Sequence, residues 1–82
     1  MTRSLSAIAH EIKADWSKIG KGVNYAAKPY LDAMASLDKI EDNYFEDSGK
    51  DIVLYFLSNA TSYRGENAKR LKSELKALAG LK

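Results

Sequence analysis

Apolar residues recur three and four positions apart along most of this chain, the spacing that lays a continuous stripe down one side of an α-helix. Leu5, Ile8, Ala9, Ile12, Trp16 and Ile19 make the first stripe. Tyr30, Leu31, Met34, Leu37 and Ile40 make a second, and Ala68, Leu71, Leu75, Leu78 and Ala79 a last one. Between them Ile52, Val53, Tyr55, Phe56, Leu57 and Ala60 are apolar almost all round, which reads as the central and most buried helix. The run Ile52 to Leu57 is also β-prone, but helical patterns flank it and no second strand is evident to pair with it. The expectation is an all-α fold: a compact bundle of three to four helices, with residues 1–82 forming one domain.

Local signals divide these stripes. Ser4 can cap the first helix, and Gly20 and Gly22 end it, with Lys18 and Lys21 near its negative end. The second begins around Asn24 or Lys28, where Pro29 suits a first turn because its missing N–H had no partner there. Ser48 opens the third, and Asp51 completes a capping-box spacing with aspartate in place of glutamate or glutamine. Ser62 can cap the fourth, which would place Gly65 within its first turns, and Gly80 ends it. The main loop runs from Asp42 to Gly49. It is acidic and holds Tyr44 and Phe45, two adjacent aromatics expected to fold back onto the core; the competing reading is an exposed contact site.

Size and composition narrow the rest. A chain of 82 residues buries roughly 60% of its unfolded surface, so the core is modest. Hydrophobic residues at 45% and charged residues at 29% are ordinary for a globular protein and argue against disorder. The chain has no cysteine, which excludes disulfides, thiolate catalysis and sulfur-based zinc sites, and fits a cytoplasmic protein. The longest unbroken apolar run, Ile52 to Leu57, is six residues. A membrane span needs about 20, and Met1 to Ala9 lacks the long apolar segment of a signal peptide. Neither a span nor a leader is expected.

Charge is regional. Asp38 to Asp51 holds six acidic residues and two lysines, a net of −4, whereas Thr61 to Lys82 holds six basic and two acidic residues, a net of +4. The whole chain carries only +2. Separation of this kind concerns partners rather than fold. On the last helix Lys69, Lys72 and Lys76 share one side, flanked by Arg64 and Arg70. That face has three readings: a solvated surface partly neutralised by Glu66 and Glu74, a contact for an acidic protein, or a phosphate-binding face. In the third reading Arg64 and Asn67 are the residues suited to reading bases, and the last two helices would form a helix-turn-helix. Tyr63 with Arg64 is a candidate protein-binding pair, since tyrosine and arginine are enriched at binding hot spots; the leading reading of Tyr63 itself is packing at the helix joint. Glu41, Asp42, Glu46 and Asp47 offer a second, acidic protein-binding surface.

Nothing in the chain resembles a catalytic site. His10 is the only histidine. It stands beside Glu11 without the partners of a triad or a metalloprotease and reads as an exposed helix residue. Gly20 and Gly22 lack the context of a phosphate loop. The acidic stretch lacks the alternation and terminal glutamate of a calcium loop. No enzyme activity, cofactor or metal site is expected.

The segment DSGKDIVLYFLSNATSYRGENAKRLKSEL, Asp47 to Leu75, resembles short uncharacterised proteins encoded by bacteriophages and mobile elements. The likeness extends to SLSAIAHEIKADW near the start. It implies a mobile-element context, in which small proteins bind host or defence proteins, CRISPR nucleases (the anti-CRISPR role) among them, or regulate transcription. The leading expectation is therefore an inhibitor-like interaction protein that binds a host protein, with a defence nuclease as one such target. The alternative is a small nucleic-acid-binding regulator using Arg64, Asn67, Lys69, Arg70, Lys72 and Lys76.

Overall fold

The computed structural model describes residues 3–80. Four helices follow one another: α1 (Leu5–Trp16), α2 (Lys28–Ala35), α3 (Gly49–Asn59) and α4 (Glu66–Leu78). Between α2 and α3 two short strands, β1 (Asn43–Tyr44) and β2 (Asp47–Ser48), pair antiparallel with Tyr44 opposite Asp47. The chain is thus mostly helical, and the all-α expectation is corrected by one small hairpin. Strands of two residues are too short to show a periodicity, and the loop Phe45–Glu46 carries none of the Asn-Gly or Asp-Gly dipeptides that announce a hairpin.

The helices run up and down. The Leu5 amide donates to the Asp38 carbonyl, which joins the start of α1 to the chain just beyond α2. Arg3 reaches Glu74 and Asn67 reaches Asp15, so α1 and α4 are antiparallel. The Asn24 side chain donates from Nδ2 to the Asn59 carbonyl, joining the α1–α2 loop to the end of α3. One end of the bundle therefore holds residues 36–48 and the termini of the described chain. The other holds the α1–α2 loop and the α3–α4 joint.

Ser4 caps α1 by accepting from the Ala7 amide, and Ser48 caps α3 by accepting from the Asp51 amide. Three boundaries differ from expectation. α1 stops at Trp16, and Ile19 joins the edge of the core from a turn. α4 begins at Glu66 rather than after Ser62, because Gly65 has φ 119°, a conformation nearly reserved to glycine and incompatible with a helix interior. α2 is short, so Leu37 and Ile40 pack from the segment that follows it.

One contiguous core fills the bundle. Leu5, Ile8 and Ile12 from α1, Leu31 and Met34 from α2, Ile52, Val53 and Phe56 from α3, and Leu71 and Leu75 from α4 are all buried. Trp16 lies against Tyr63, ring centroids 4.8 Å apart and nearly parallel, and meets Phe56 edge-on at 6.3 Å. α3 is less enclosed than its composition implies: Tyr55 is exposed and stacks obliquely on Tyr30 at the surface.

Candidate functional site: an acidic aromatic hairpin

The root of the hairpin is fixed by backbone chemistry. The Asp42 carboxylate accepts from the amides of Asp38 and Lys39 at 3.2 and 2.9 Å, closing a tight turn. The Gly49 amide donates to the Asp42 carbonyl at 2.8 Å, tying that turn to the first residue of α3. From this base β1 and β2 project Phe45 and Glu46 as a two-residue tip.

Phe45 is 87% exposed and has φ 57°. Among the described residues it is the one non-glycine with positive φ. A two-residue hairpin loop demands positive φ at its first central position, where glycine is the usual occupant. A phenylalanine there accepts steric strain of about 1–2 kcal/mol and leaves a large apolar ring in water. Tyr44 packs edge-on against it, centroids 4.8 Å apart. The expectation that these aromatics fold back onto the core is corrected for Phe45, which the hairpin points outward, while Tyr44 beside it is part-covered at 37% exposure. Glu41, Glu46 and Asp47 are exposed on the same projection. Asp42 is half-buried and committed to its turn.

The other predicted contact residues are dispersed. Tyr63 is 1% exposed, so its ring serves the core beneath Trp16. Its hydroxyl donates to Asp15 at 2.7 Å, and burial together with that carboxylate pushes the phenol well above its usual range. Arg64 remains exposed, so the two do not form a surface pair. On α4 the Lys72 ammonium donates to the carbonyls of Ala60 and Tyr63, both at 2.7 Å. It satisfies acceptors left over at the end of α3 and in the joint. Its pKa is lowered by burial and by Lys76 and Arg64. Arg70 pairs with Glu11, and Asn67 donates to Asp15. The predicted basic face thus commits Asn67, Arg70 and Lys72 to internal contacts, while Arg64, which donates to the Thr61 carbonyl at 3.4 Å, stays exposed with Lys69 and Lys76. The α3–α4 joint, Ala60 to Gly65, is also longer than the turn of three or four residues in a helix-turn-helix.

Along the α1–α4 seam Arg3 bridges Glu11 and Glu74, both at 2.6 Å, and Arg70 approaches the same two carboxylates. The Arg70 and Arg3 bonds hold Glu11 below the ordinary carboxylate range. Arg3 does the same for Glu74, and Tyr63 with Asn67 does so for Asp15. A carboxylate lowered in the folded state contributes stability above its unfolded pKa, about 4.5 for Glu and 3.8 for Asp, and loses it as pH falls through the folded value. The melting temperature should therefore stay level from neutrality to about pH 5 and fall below about pH 4. Glu11→Gln/Glu74→Gln should melt earlier at neutral pH, with a flatter acid limb. An unchanged acid limb in thermal melts would remove this cluster as its source.

Among the described residues no group of three or more His, Asp or Glu side chains is placed to hold a metal ion, and no helix is long and apolar enough to cross a membrane. No protein-family model matches the chain, and neither a curated protein nor a solved structure is significantly similar to it.

Proposed function

We propose that this protein is a non-catalytic interaction module that binds another protein through the hairpin of residues 41–48. The observation that carries this reading is Phe45: a large apolar ring, exposed and held in a strained backbone conformation at a projecting tip. Strain of this kind persists where function uses it. An exposed aromatic pair rimmed by Glu41, Glu46 and Asp47 suits a partner with an apolar pocket inside a basic surface. Proteins that handle nucleic acids present such basic surfaces. The host protein implied by the phage and mobile-element resemblance, a defence nuclease in a cytoplasmic setting, is a partner of this class. The competing reading, a transcriptional regulator docking α4 on duplex DNA, rests on the three cations that α4 and its joint still present.

Phe45→Gly separates function from fold. It removes the ring and relieves the positive-φ strain, so we expect it to stabilise the domain by about 1 kcal/mol in urea melts. The same change should abolish capture of the host partner by the immobilised protein. Glu46→Lys/Asp47→Lys should also abolish it, and Lys69→Glu/Lys76→Glu should leave it intact. Capture indifferent to both hairpin variants would reject the hairpin as the binding element. Capture lost with the α4 variant alone would move the site to the basic helix.

A further inference from the structure

The end of the bundle opposite the hairpin has a different chemistry. The α1–α2 loop and the start of α2, Ser17 to Lys28, hold Lys18, Lys21 and Lys28 and no acidic residue. The α3–α4 joint adds Arg64 at the same end. Within residues 15–28 and 60–66 the carboxylates are Asp15 and Glu66, and Asp15 already accepts from Tyr63 and Asn67. Four cations against two anions leave this end at +2. In its midst Tyr25 is 92% exposed. It stands on a rigid support: the Asn24 side chain accepts from the Ala26 amide at 3.1 Å and donates to the Asn59 carbonyl at 3.3 Å, which pins the turn to the end of α3. Beside Tyr25 lies a recess of about 380 Å³, lined by Trp16, Ile19, Val23 and Ser62 with Lys21 at its edge.

We propose that this basic end binds single-stranded nucleic acid, with a base stacked on Tyr25 over the recess and flanking phosphates on Lys18, Lys21 and Arg64. An aromatic ring held out from the fold among cations is the arrangement that engages unpaired bases. Stacking accepts any base, and lysines track the backbone by charge. The recess falls at the lower end of the size range of small-ligand sites, a volume that suits one base, and a duplex, whose bases are already stacked on one another, offers none to the ring. This surface is separate from the hairpin, and the inference does not rest on the protein-binding reading.

The test is fluorescence anisotropy of a labelled oligothymidylate of about 12 nucleotides with the whole protein, at about 50 and 200 mM salt. Emission of Trp16, the chain's one tryptophan, provides a second readout from the wall of the recess. We expect binding that weakens with salt, quenching of Trp16, and a loss of affinity of about five-fold or more in Tyr25→Ala. Tyr25→Phe should bind as the parent does, and Lys18→Glu/Lys21→Glu should lose most binding. Because these side chains are exposed or part-exposed at a loop, the variants should keep the parent circular dichroism and melting temperature. Absence of binding at the lower salt overturns the proposal. So does affinity that Tyr25→Ala leaves unchanged, or that Lys69→Glu/Lys76→Glu removes instead. Equal binding of duplex DNA or of polyglutamate would also overturn it, since charge without stacking would then suffice.

Discussion

Phe56→Ala should destabilise the fold by about 3–5 kcal/mol in urea or thermal melts. Phe56 is completely buried on α3 and meets the edge of Trp16, which in turn lies flat on Tyr63. Removing its ring leaves a cavity at the point where α1, α3 and the α3–α4 joint converge. The transfer loss and the cavity loss add, because the surrounding rings are held by their own packing and cannot close the gap. A small domain has about 5–15 kcal/mol in total, so this one change should leave the protein partly unfolded at physiological temperature. Phe45→Ala supplies the internal control. The residue type is the same, but its ring is 87% exposed, and the cost should lie within about 0.5 kcal/mol. Equal costs for the two phenylalanines would mean that the core and the tip have been assigned to the wrong rings.

That pair also marks what the sequence could and could not disclose. Phe56 lies on a stripe with Ile52 and Val53, and helical spacing with a Ser48 cap was enough to place it inside. Phe45 lies in a loop, where no period exists to be read. An apolar residue without a period is assigned inward by hydrophobicity alone, and that inference failed because a two-residue turn aims its side chains by backbone geometry. Tyr63 carries two readings, a surface pair with Arg64 and packing at the helix joint, and the structure shows the second, with the ring buried against Trp16. The neighbouring Arg64 and the surrounding polar residues suggest a surface, but the left-handed break at Gly65 turns the joint over Trp16 and draws the ring beneath it. The α4 cations show a third limit. Lys69 and Lys72 are equivalent in the sequence, and only the end of α3 passing over Lys72 distinguishes a solvated lysine from one that satisfies two carbonyls. Basic charge in the α1–α2 loop is legible as Lys18 and Lys21, which read in the sequence as cations at the end of α1. Its proximity to Arg64 is a product of the up-and-down topology.

Gly49→Ala should destabilise the domain by about 1–3 kcal/mol, although helix propensity alone predicts a gain of up to about 1 kcal/mol for the same change. Gly49 is the first residue of α3 and is buried against the hairpin root. A Cβ placed on it would lie 2.6 Å from the Ile40 carbonyl oxygen, 3.1 Å from its carbon and 3.2 Å from the Asp42 oxygen. All three are backbone atoms, so no side chain can rotate away. Either α3 shifts against the core or the turn at 38–42 moves outward. Moving the turn stretches the bond from the Gly49 amide to Asp42, which anchors the hairpin. The adjacent exposed residue supplies the reference: Lys50→Ala, which touches no such contact, should change stability by under about 0.5 kcal/mol. A rise in the denaturation midpoint of Gly49→Ala would show that the hairpin root does not press on α3. The expected fall has a functional counterpart. A turn levered away from α3 no longer holds Phe45 and the Glu46–Asp47 pair in a fixed direction, so partner capture should weaken even at temperatures where Gly49→Ala remains folded by circular dichroism. Undiminished capture by the folded variant would mean that the tip binds without its root being held. The strain at Phe45 would then have no part in presenting the ring.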